Sequence, residues 1–272
     1  MLQFSVCMSV YQNDSPNSFL TAVRSIWNQT LLPDEIILVV DGRVSDEIQH
    51  SIQQLEDDIS FLKVVQYPEN KGHAFARQIG LYYSRNNLCA VMDSDDIAEP
   101  DRFEKQVKAF LQHPEVSVVG GLINEFIDVP ENVVGRRLVP EKDRDIKNYM
   151  KSRCPMNLVT VMLKKDDVMA VGGYQDWYCE EDYYLWLRMA MAGFKFYNIQ
   201  DNLVNVRVGS EMYRRRGGRR YFLSEARLQR YMLNNHIIGF PRYVYNVAVR
   251  FILQILMPNR IRGWVFRTFA RG

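Results

Sequence analysis

Cysteine is sparse and scattered: Cys7, Cys89, Cys154 and Cys179 are far apart, show no Cys-x-x-Cys spacing, and in two cases sit in apolar strand-like runs. This excludes a disulfide framework and a zinc site by pattern, and points to reduced thiols in a cytosolic compartment. Histidine is as thin, and His50, His73, His113 and His236 have no carboxylate or cysteine at ligand spacing; only His73, beside Gly72 in a loop, is placed where it invites a role. Uninterrupted apolar stretches fall short of the roughly 20 residues that cross a bilayer. The start, Met1 to Val6, lacks a basic segment leading to an apolar stretch and a small-residue cleavage site, so it reads as a first strand and not as a secretory signal. Before about residue 209 there is no internal repeat, low-complexity segment or linker. Lysine disappears from Arg207 onward, where 14 arginines face two acids, Glu211 and Glu225, for a net +12; residues 1–206 carry the opposite balance, −10. An acidic body with an arginine-rich tail predicts an anionic partner, with a membrane surface and a nucleic acid as the two candidates.

What is present is core. With 47% apolar residues in 272, the chain can bury one large core, or one core with a small appendage. Apolar runs alternate with helical patterns: a strand at Phe4 to Val10, a helix with Phe19, Ala22, Val23, Ile26 and Trp27 on one stripe, a strand at Glu35 to Val40, a helix from about Ser45 to Ile59, a strand at Phe61 to Val65, and a helix from Ala74 to Ser84. A fourth strand, Leu88 to Met92, stops at Asp93-Ser94-Asp95-Asp96. Continuous apolar strands alternating with helices predict an α/β fold with a mostly parallel, doubly wound sheet. A helix opens at Pro100, a strand follows at Val116 to Leu122, and residues 124–150 read as irregular up to a short helix at Asp143 to Met150. Leu158 to Lys164 reads as a strand. Gly172-Gly173-Tyr174 then leads through aromatic residues to Glu180-Glu181-Asp182, which open a helix ending near Gly193.

Ligands in open α/β sheets collect at the carboxyl ends of strands, so the acids after the fourth strand face such a crevice. Two carboxylates at i and i+2 suit a hard divalent ion such as Mg²⁺ or Mn²⁺. The same three residues also suit a turn or a helix cap.

Taken in order, Ser9-Val10-Tyr11, Asp41-Gly42, Asn70-Lys71-Gly72 with Ala76-Arg77, Asp93-Ser94-Asp95, Gly172-Gly173-Tyr174, and Glu181-Asp182 with Leu185-Trp186-Leu187-Arg188 resemble the family 2 glycosyltransferases over roughly residues 4–205. The resemblance implies the GT-A fold over residues 1–206, followed by a basic helical extension over 207–272. It implies an inverting, metal-dependent transferase of single hexose or acetamido-hexose units from a nucleotide-sugar, in the manner of the enzymes of capsule, exopolysaccharide and O-antigen assembly. Ser9, Val10, Tyr11, Asp41 and Arg77 would hold the uridine and ribose of a UDP-sugar, with Asp93 and Ser94 beside them. Asp95, with Asp93, would hold Mn²⁺ or Mg²⁺ on the diphosphate; Asp182 would be the base; Gly173, Tyr174, Trp177 and Glu181 would line the side of a lipid-linked saccharide acceptor. Glu180 to Asp182 equally read as N-terminal charge on a helix. The chain departs from the family pattern at Val40, where a second acid is frequent, and at Tyr184, where many relatives carry a further Asp. It has no Gln-x-x-Arg-Trp box, which favours single addition over polymer synthesis.

Two other classes fit less well. A sugar-nucleotide nucleotidyltransferase would need a glycine-rich loop with Arg directly after the first strand, and Ser9-Val10-Tyr11-Gln12-Asn13 is not that. A nucleic-acid-binding protein would show a known module, and none is present. The basic stretch Val208 to Arg220 either contacts a diphosphate or is a solvated charge run. After Pro241, Arg242, Asn246, Arg250 and Gln254 repeat every four residues on an otherwise apolar helix, which reads as buried or interfacial. Arginines mixed with Trp264, Phe266 and Phe269 then predict peripheral attachment to an anionic membrane surface, on the cytoplasmic inner face of the cell membrane.

Overall fold

All seven residues of Glu35–Asp41 are buried, which requires a strand covered on both faces. The computed structural model describes residues 2–209 and 217–257. In it Glu35–Asp41 is β2, between β1 (Phe4–Val10) and β3 (Leu62–Tyr67), and β4 (Leu88–Asp93) lies on the other side of β1; all three pairings are parallel. The helices between them are α1 (Pro16–Trp27), α2 (Asp46–Asp58) and α3 (His73–Tyr83). Local chemistry sets their starts. Ser15 and Ser45 cap α1 and α2 through their hydroxyls, and Pro16 occupies the first turn of α1. The stripe of α1 buries Phe19, Ala22, Val23 and Ile26, each worth about 1 to 3 kcal/mol, whereas Trp27 stays 37% exposed.

The parallel expectation holds for β3-β2-β1-β4; beyond β4 the sheet is mixed. The order continues through β8 (Met162–Lys164), β6 (Val118–Phe126), β9 (Phe196–Arg207) and β5 (Ile97–Ala98), with β7 (Val133–Arg137) paired to β6. β8 runs antiparallel to both β4 and β6, β5 antiparallel to β9, and β6 parallel to β9. The stretch expected to be irregular instead finishes β6 and adds β7, an edge strand whose mostly exposed residues give no alternation to read. The expected strand at Leu158 is a 3₁₀ turn, Leu158–Thr160, before the three-residue β8.

The remaining helices are α4 (Arg102–Gln112), α5 (Asp143–Tyr149), α6 (Lys165–Ala170), α7 (Glu181–Met191), α8 (Arg219–Asn234) and α9 (Phe240–Phe251), followed by a π-helical turn, Ile252–Leu256. Leu228, Met232 and Ile238 join a core shared with Tyr174, Trp177, Leu187 and Leu163, so α8 packs on the body through the same apolar mass that supports α7. The polar repeat after Pro241 turns inward except at its first member: Asn246, Arg250 and Gln254 are buried, whereas Arg242 is exposed. The arginines of residues 210–216 and the aromatic and basic segment beyond Met257 lie outside the described residues.

Candidate functional site

Register brings the strand ends together. Ser9 pairs with Val39 on one side and with Asp93 on the other, so the residues that follow β1 and β2 and those that end β4 share one edge. The strand order turns back between β1 and β4, which is where open α/β sheets form their binding crevice.

The acidic loop is held at both ends. β4 precedes it and β5, pinned to β9, follows it. Ser94 donates to Asp14 Oδ2 (2.7 Å), and Asp14 accepts the Tyr11 N–H (3.1 Å), which ties the loop to the segment after β1. Asp96 is 3% exposed and accepts the Arg207 N–H (2.8 Å); burial, with Asp95 and Asp93 adding to it, pushes its carboxyl well up. It therefore acts in the fold. Asp95 faces outward, yet the crevice withdraws its carboxyl from water and Asp93 and Asp14 crowd it, pushing it up to about 6. Behind β4, the fully buried Arg102 donates to Val91 O (2.7 Å) and Gln106 Oε1 (3.1 Å). Burial lowers its guanidinium to about 9, against Asp93 and Asp96.

Asp41 is 5% exposed, and its two carboxylate oxygens accept the N–H groups of Lys71 (2.7 Å) and Gly72 (3.0 Å). It shapes the loop that starts α3. His73, the first residue of that helix, lies edge-on to Tyr11 with ring centroids 6.1 Å apart. Together Tyr11 and His73 form an aromatic corner at the end of β1.

Arg77 joins the two halves of the site. Its side chain is 10% exposed, with one nitrogen 2.7 Å from Glu181 Oε1 and another 3.3 Å from Asp93 Oδ1. The acid at the end of β4 and the first residue of α7 are thus bridged by one guanidinium. Next to Glu181, Asp182 accepts the Tyr183 N–H (2.7 Å) and lies 3.6 Å from Cys154 Sγ. Burial raises the Asp182 carboxyl, Glu181 adds to the rise, and Arg77 opposes it. A buried carboxyl with a raised pKa beside a cleft is suited to accept a proton.

The Gly172-Gly173-Tyr174 turn is held from α7. Arg188 donates to Val171 O (2.6 Å) and Gly173 O (2.7 Å). Gly173 has φ +67, and a Cβ there would lie 2.1 Å from Gln78 Oε1, the atom that accepts the Tyr174 N–H at 2.8 Å. Tyr174 is buried with its hydroxyl unpartnered. Trp177 is 7% exposed and committed to packing: its indole donates to Ser224 O (3.3 Å), and its ring lies 4.5 Å from Tyr184. Tyr184, the departure from the family pattern, also meets Tyr231 of α8 at 5.0 Å.

The structure thus gathers Ser9 to Tyr11, Arg77, Asp93 to Asp95, Glu181 and Asp182 around one crevice, and gives Asp41, Gly173 and Trp177 supporting contacts. The roles of Asp14, Arg102 and Arg207 had no signal in the sequence beyond residue type. Among the described residues no group of three or more His, Cys, Asp or Glu side chains forms a metal cage. The donor set at Asp93 and Asp95 fits a cation that takes one or two carboxylates and fills its remaining positions with phosphate oxygens and water, and the crowding of Asp14, Asp93 and Asp95 creates the field such an ion would relieve.

Residues 5–172 match the family described as "Glycosyl transferase family 2". The chain is 34% identical over 269 residues to the amylovoran biosynthesis glycosyltransferase AmsE of Erwinia amylovora, covering 99% of this chain and 100% of that one. It is 32% identical over 269 residues to the UDP-Gal:alpha-D-GlcNAc-diphosphoundecaprenol beta-1,3-galactosyltransferase of Escherichia coli, covering 99% and 97%. Among solved structures, the mannosyltransferase PcManGT from Pyrobaculum calidifontis, in complex with GDP-Man and Mn2+, matches with a TM-score of 0.63 at 16% identity, over 96% of this chain and 71% of that one. The fold is that of the GT-A glycosyltransferases.

Proposed function

The chain belongs to glycosyl transferase family 2, and from that premise we propose that it moves a single hexose or acetamido-hexose from a UDP-sugar to a lipid-linked, diphosphate-bearing saccharide in cell-surface polysaccharide assembly, with inversion at the anomeric carbon. The observation that carries the reading is the Arg77 bridge, which sets the acid at the end of β4 beside the acids that open α7. A donor held over β1 and β4 then presents its anomeric carbon toward Asp182. The relatives' names support the lipid-linked acceptor and the polysaccharide context.

Tyr11 and His73 form the corner for the base, and Ser9 with Asp93 borders the ribose. Asp93 and Asp95 would hold Mn²⁺ or Mg²⁺, which when bound neutralises the charge that develops on the leaving diphosphate. Asp182 takes the proton of the acceptor hydroxyl as its oxygen attacks the anomeric carbon and the bond to the diphosphate breaks; attack from the opposite face inverts the configuration. Arg77 pairs with Glu181 beside it and orders the first turn of α7. The Gly173-Tyr174 turn, clamped by Arg188 and Gln78, closes the acceptor side. An acceptor carried on lipid places this reaction at a membrane surface.

The test is a panel of UDP-hexoses and UDP-acetamido-hexoses offered, with Mn²⁺, to a synthetic acetamidohexose-diphospholipid, with product configuration read by NMR. One donor giving an inverted linkage is the expected result. Retention of configuration, or sugar-1-phosphate and UTP chemistry with no transfer, would rule it out.

A further inference from the structure

Helix α9 and the turn after it are built inside out. Asn246, Arg250 and Gln254, four residues apart, are 2%, 9% and 5% exposed. Their polar groups are used inward. Asn246 donates to Lys151 O (2.9 Å) and Gln229 Oε1 (2.8 Å); Arg250 donates to Ser152 O (2.8 Å) and pairs with Glu225 at 3.1 Å; Gln254 also donates to Glu225. The opposite face carries Phe240, Val244, Tyr245, Ile252 and Leu256, exposed by 65%, 47%, 62%, 50% and 62%. A surface helix in water places its apolar stripe on the core and its polar face outward. The reversal leaves a continuous apolar surface facing away from the protein, the mark of an interaction site.

Charge identifies what covers it. Residues 217–257 contain one acid, Glu225, and it is neutralised by Arg250, while Arg219, Arg230 and Arg242 are exposed. The sequence beyond Met257 adds four arginines and no acid. A greasy helix face on a segment so rich in arginine and so poor in acids matches an anionic phospholipid leaflet, with apolar side chains in the acyl boundary and guanidiniums at the headgroups. No helix of the described residues is long and apolar enough to cross a membrane, so a leaflet would be met by the side of this helix and not by its end.

The same helices hold the acceptor side of the site. Trp177 donates its indole N–H to Ser224 O (3.3 Å), and Ser224 donates its hydroxyl to Tyr178 O (2.6 Å). Arg227 lies over the Trp177 ring at 4.4 Å and Arg220 over the Tyr178 ring at 3.9 Å. We propose that the outward face of α9 and its terminal turn docks on anionic phospholipid, and that α8 fixes the loop before Asp182 to that docked surface. The first half stands on the surface alone; the second rests on the transferase reading, because it concerns delivery of a lipid-linked acceptor.

The test uses the full chain with no sugar donor, in sedimentation with vesicles of phosphatidylglycerol and phosphatidylcholine against phosphatidylcholine alone. Wild type is expected to bind the anionic vesicles at least tenfold more tightly, and to lose that preference in high salt. Val244→Glu with Ile252→Glu should reduce binding tenfold or more at unchanged Tm, since both side chains are exposed. In the same double variant, turnover on a water-soluble acceptor should be retained and turnover on a vesicle-borne acceptor should fall. Unchanged vesicle binding by the double variant would overturn the proposal. So would an absence of vesicle binding together with a dimer, seen by light scattering, that the same two changes dissociate, because the face would then belong to a second copy of the chain. Lipid binding without any sugar transfer would leave the docking surface standing and remove the transferase reading.

Discussion

Replacing Arg77 with Met is the sharpest test of the site's architecture. The guanidinium is 10% exposed and lies 2.7 Å from Glu181 and 3.3 Å from Asp93. Methionine keeps much of the stem and removes the charge. Glu181, 15% exposed, is then left without its cation, and stranding a buried charge costs about 3–5 kcal/mol. Asp93 is 40% exposed; water recovers most of what it loses, so its share is under about 1 kcal/mol. The expected loss is about 3 kcal/mol, which at about 2–4 °C per kcal/mol lowers Tm by roughly 6–12 °C. Urea denaturation of Arg77→Met, Glu181→Gln and the double variant measures it. Because the double variant no longer buries an unpaired carboxylate, it should be more stable than the sum of the single losses predicts by at least about 1.5 kcal/mol. A single-variant cost below about 1 kcal/mol, or strict additivity, would show that Arg77 is not the tie between the strand ends and α7.

Asp95→Asn should abolish the Mn²⁺-dependent part of UDP binding, measured by calorimetry with and without the ion; equal affinity in both conditions would remove Asp95 as a ligand. Asp182→Asn should bind donor as wild type does and lose at least about a hundredfold in kcat, the lower range for general-base catalysis. Because burial raises the Asp182 carboxyl and a base must be deprotonated to act, the acidic limb of the wild-type kcat/KM profile should lie above the ordinary aspartate value of about 3.9. Activity rises with pH through that limb, and the limb should vanish from the residual rate of Asp182→Asn. Gly173→Ala should cost about 2–4 kcal/mol, from a left-handed backbone at φ +67 and from displacement of Gln78 off the Tyr174 N–H. Adding Gln78→Ala should relieve the clash and recover part of the Tm.

The first four strands could be read from the sequence because β1, β2 and β4 are apolar runs buried on both faces and the half-buried edge strand β3 keeps Leu62, Val64 and Val65; the helices between them carry apolar stripes, with serine caps on α1 and α2. β9 could not. Its Asn198, Asn202 and Asn205 break the apolar run, yet each amide NH2 finds an acceptor: Asn198 donates to Pro140 O (2.7 Å), and Asn202 and Asn205 both donate to Glu99 (2.6 and 2.9 Å). A polar strand whose partners come from elsewhere in the chain has no local signature. The acids of the site were visible as abrupt ends to apolar runs. Their division of labour was not, because it depends on partners distant in sequence. Arg207, at the end of the unread β9, binds Asp96 and leaves Asp95 to face the crevice. Asp41 likewise looks like a ligand group by position, and what the sequence could not show is that its carboxylate also accepts two backbone N–H groups of the loop before α3.

The departure at Tyr184 acquires a physical meaning only beside the C-terminal helices. An acid there would lie against the rings of Trp177 and Tyr231 at contact distance and forgo their stacking. Tyrosine instead stacks with both, and Arg188, which clamps the Gly173 turn, lies 4.5 Å over its ring. One side chain therefore connects the Gly173 turn, the helix that carries Asp182, and α8. The inward Asn246-Arg250-Gln254 stripe extends that connection to α9, and so to the greasy face beyond it. Compositional halves of opposite charge are thus joined by packing, and on the docking proposal a change on the outer face of α9 should register in turnover of a lipid-borne acceptor and leave donor binding untouched.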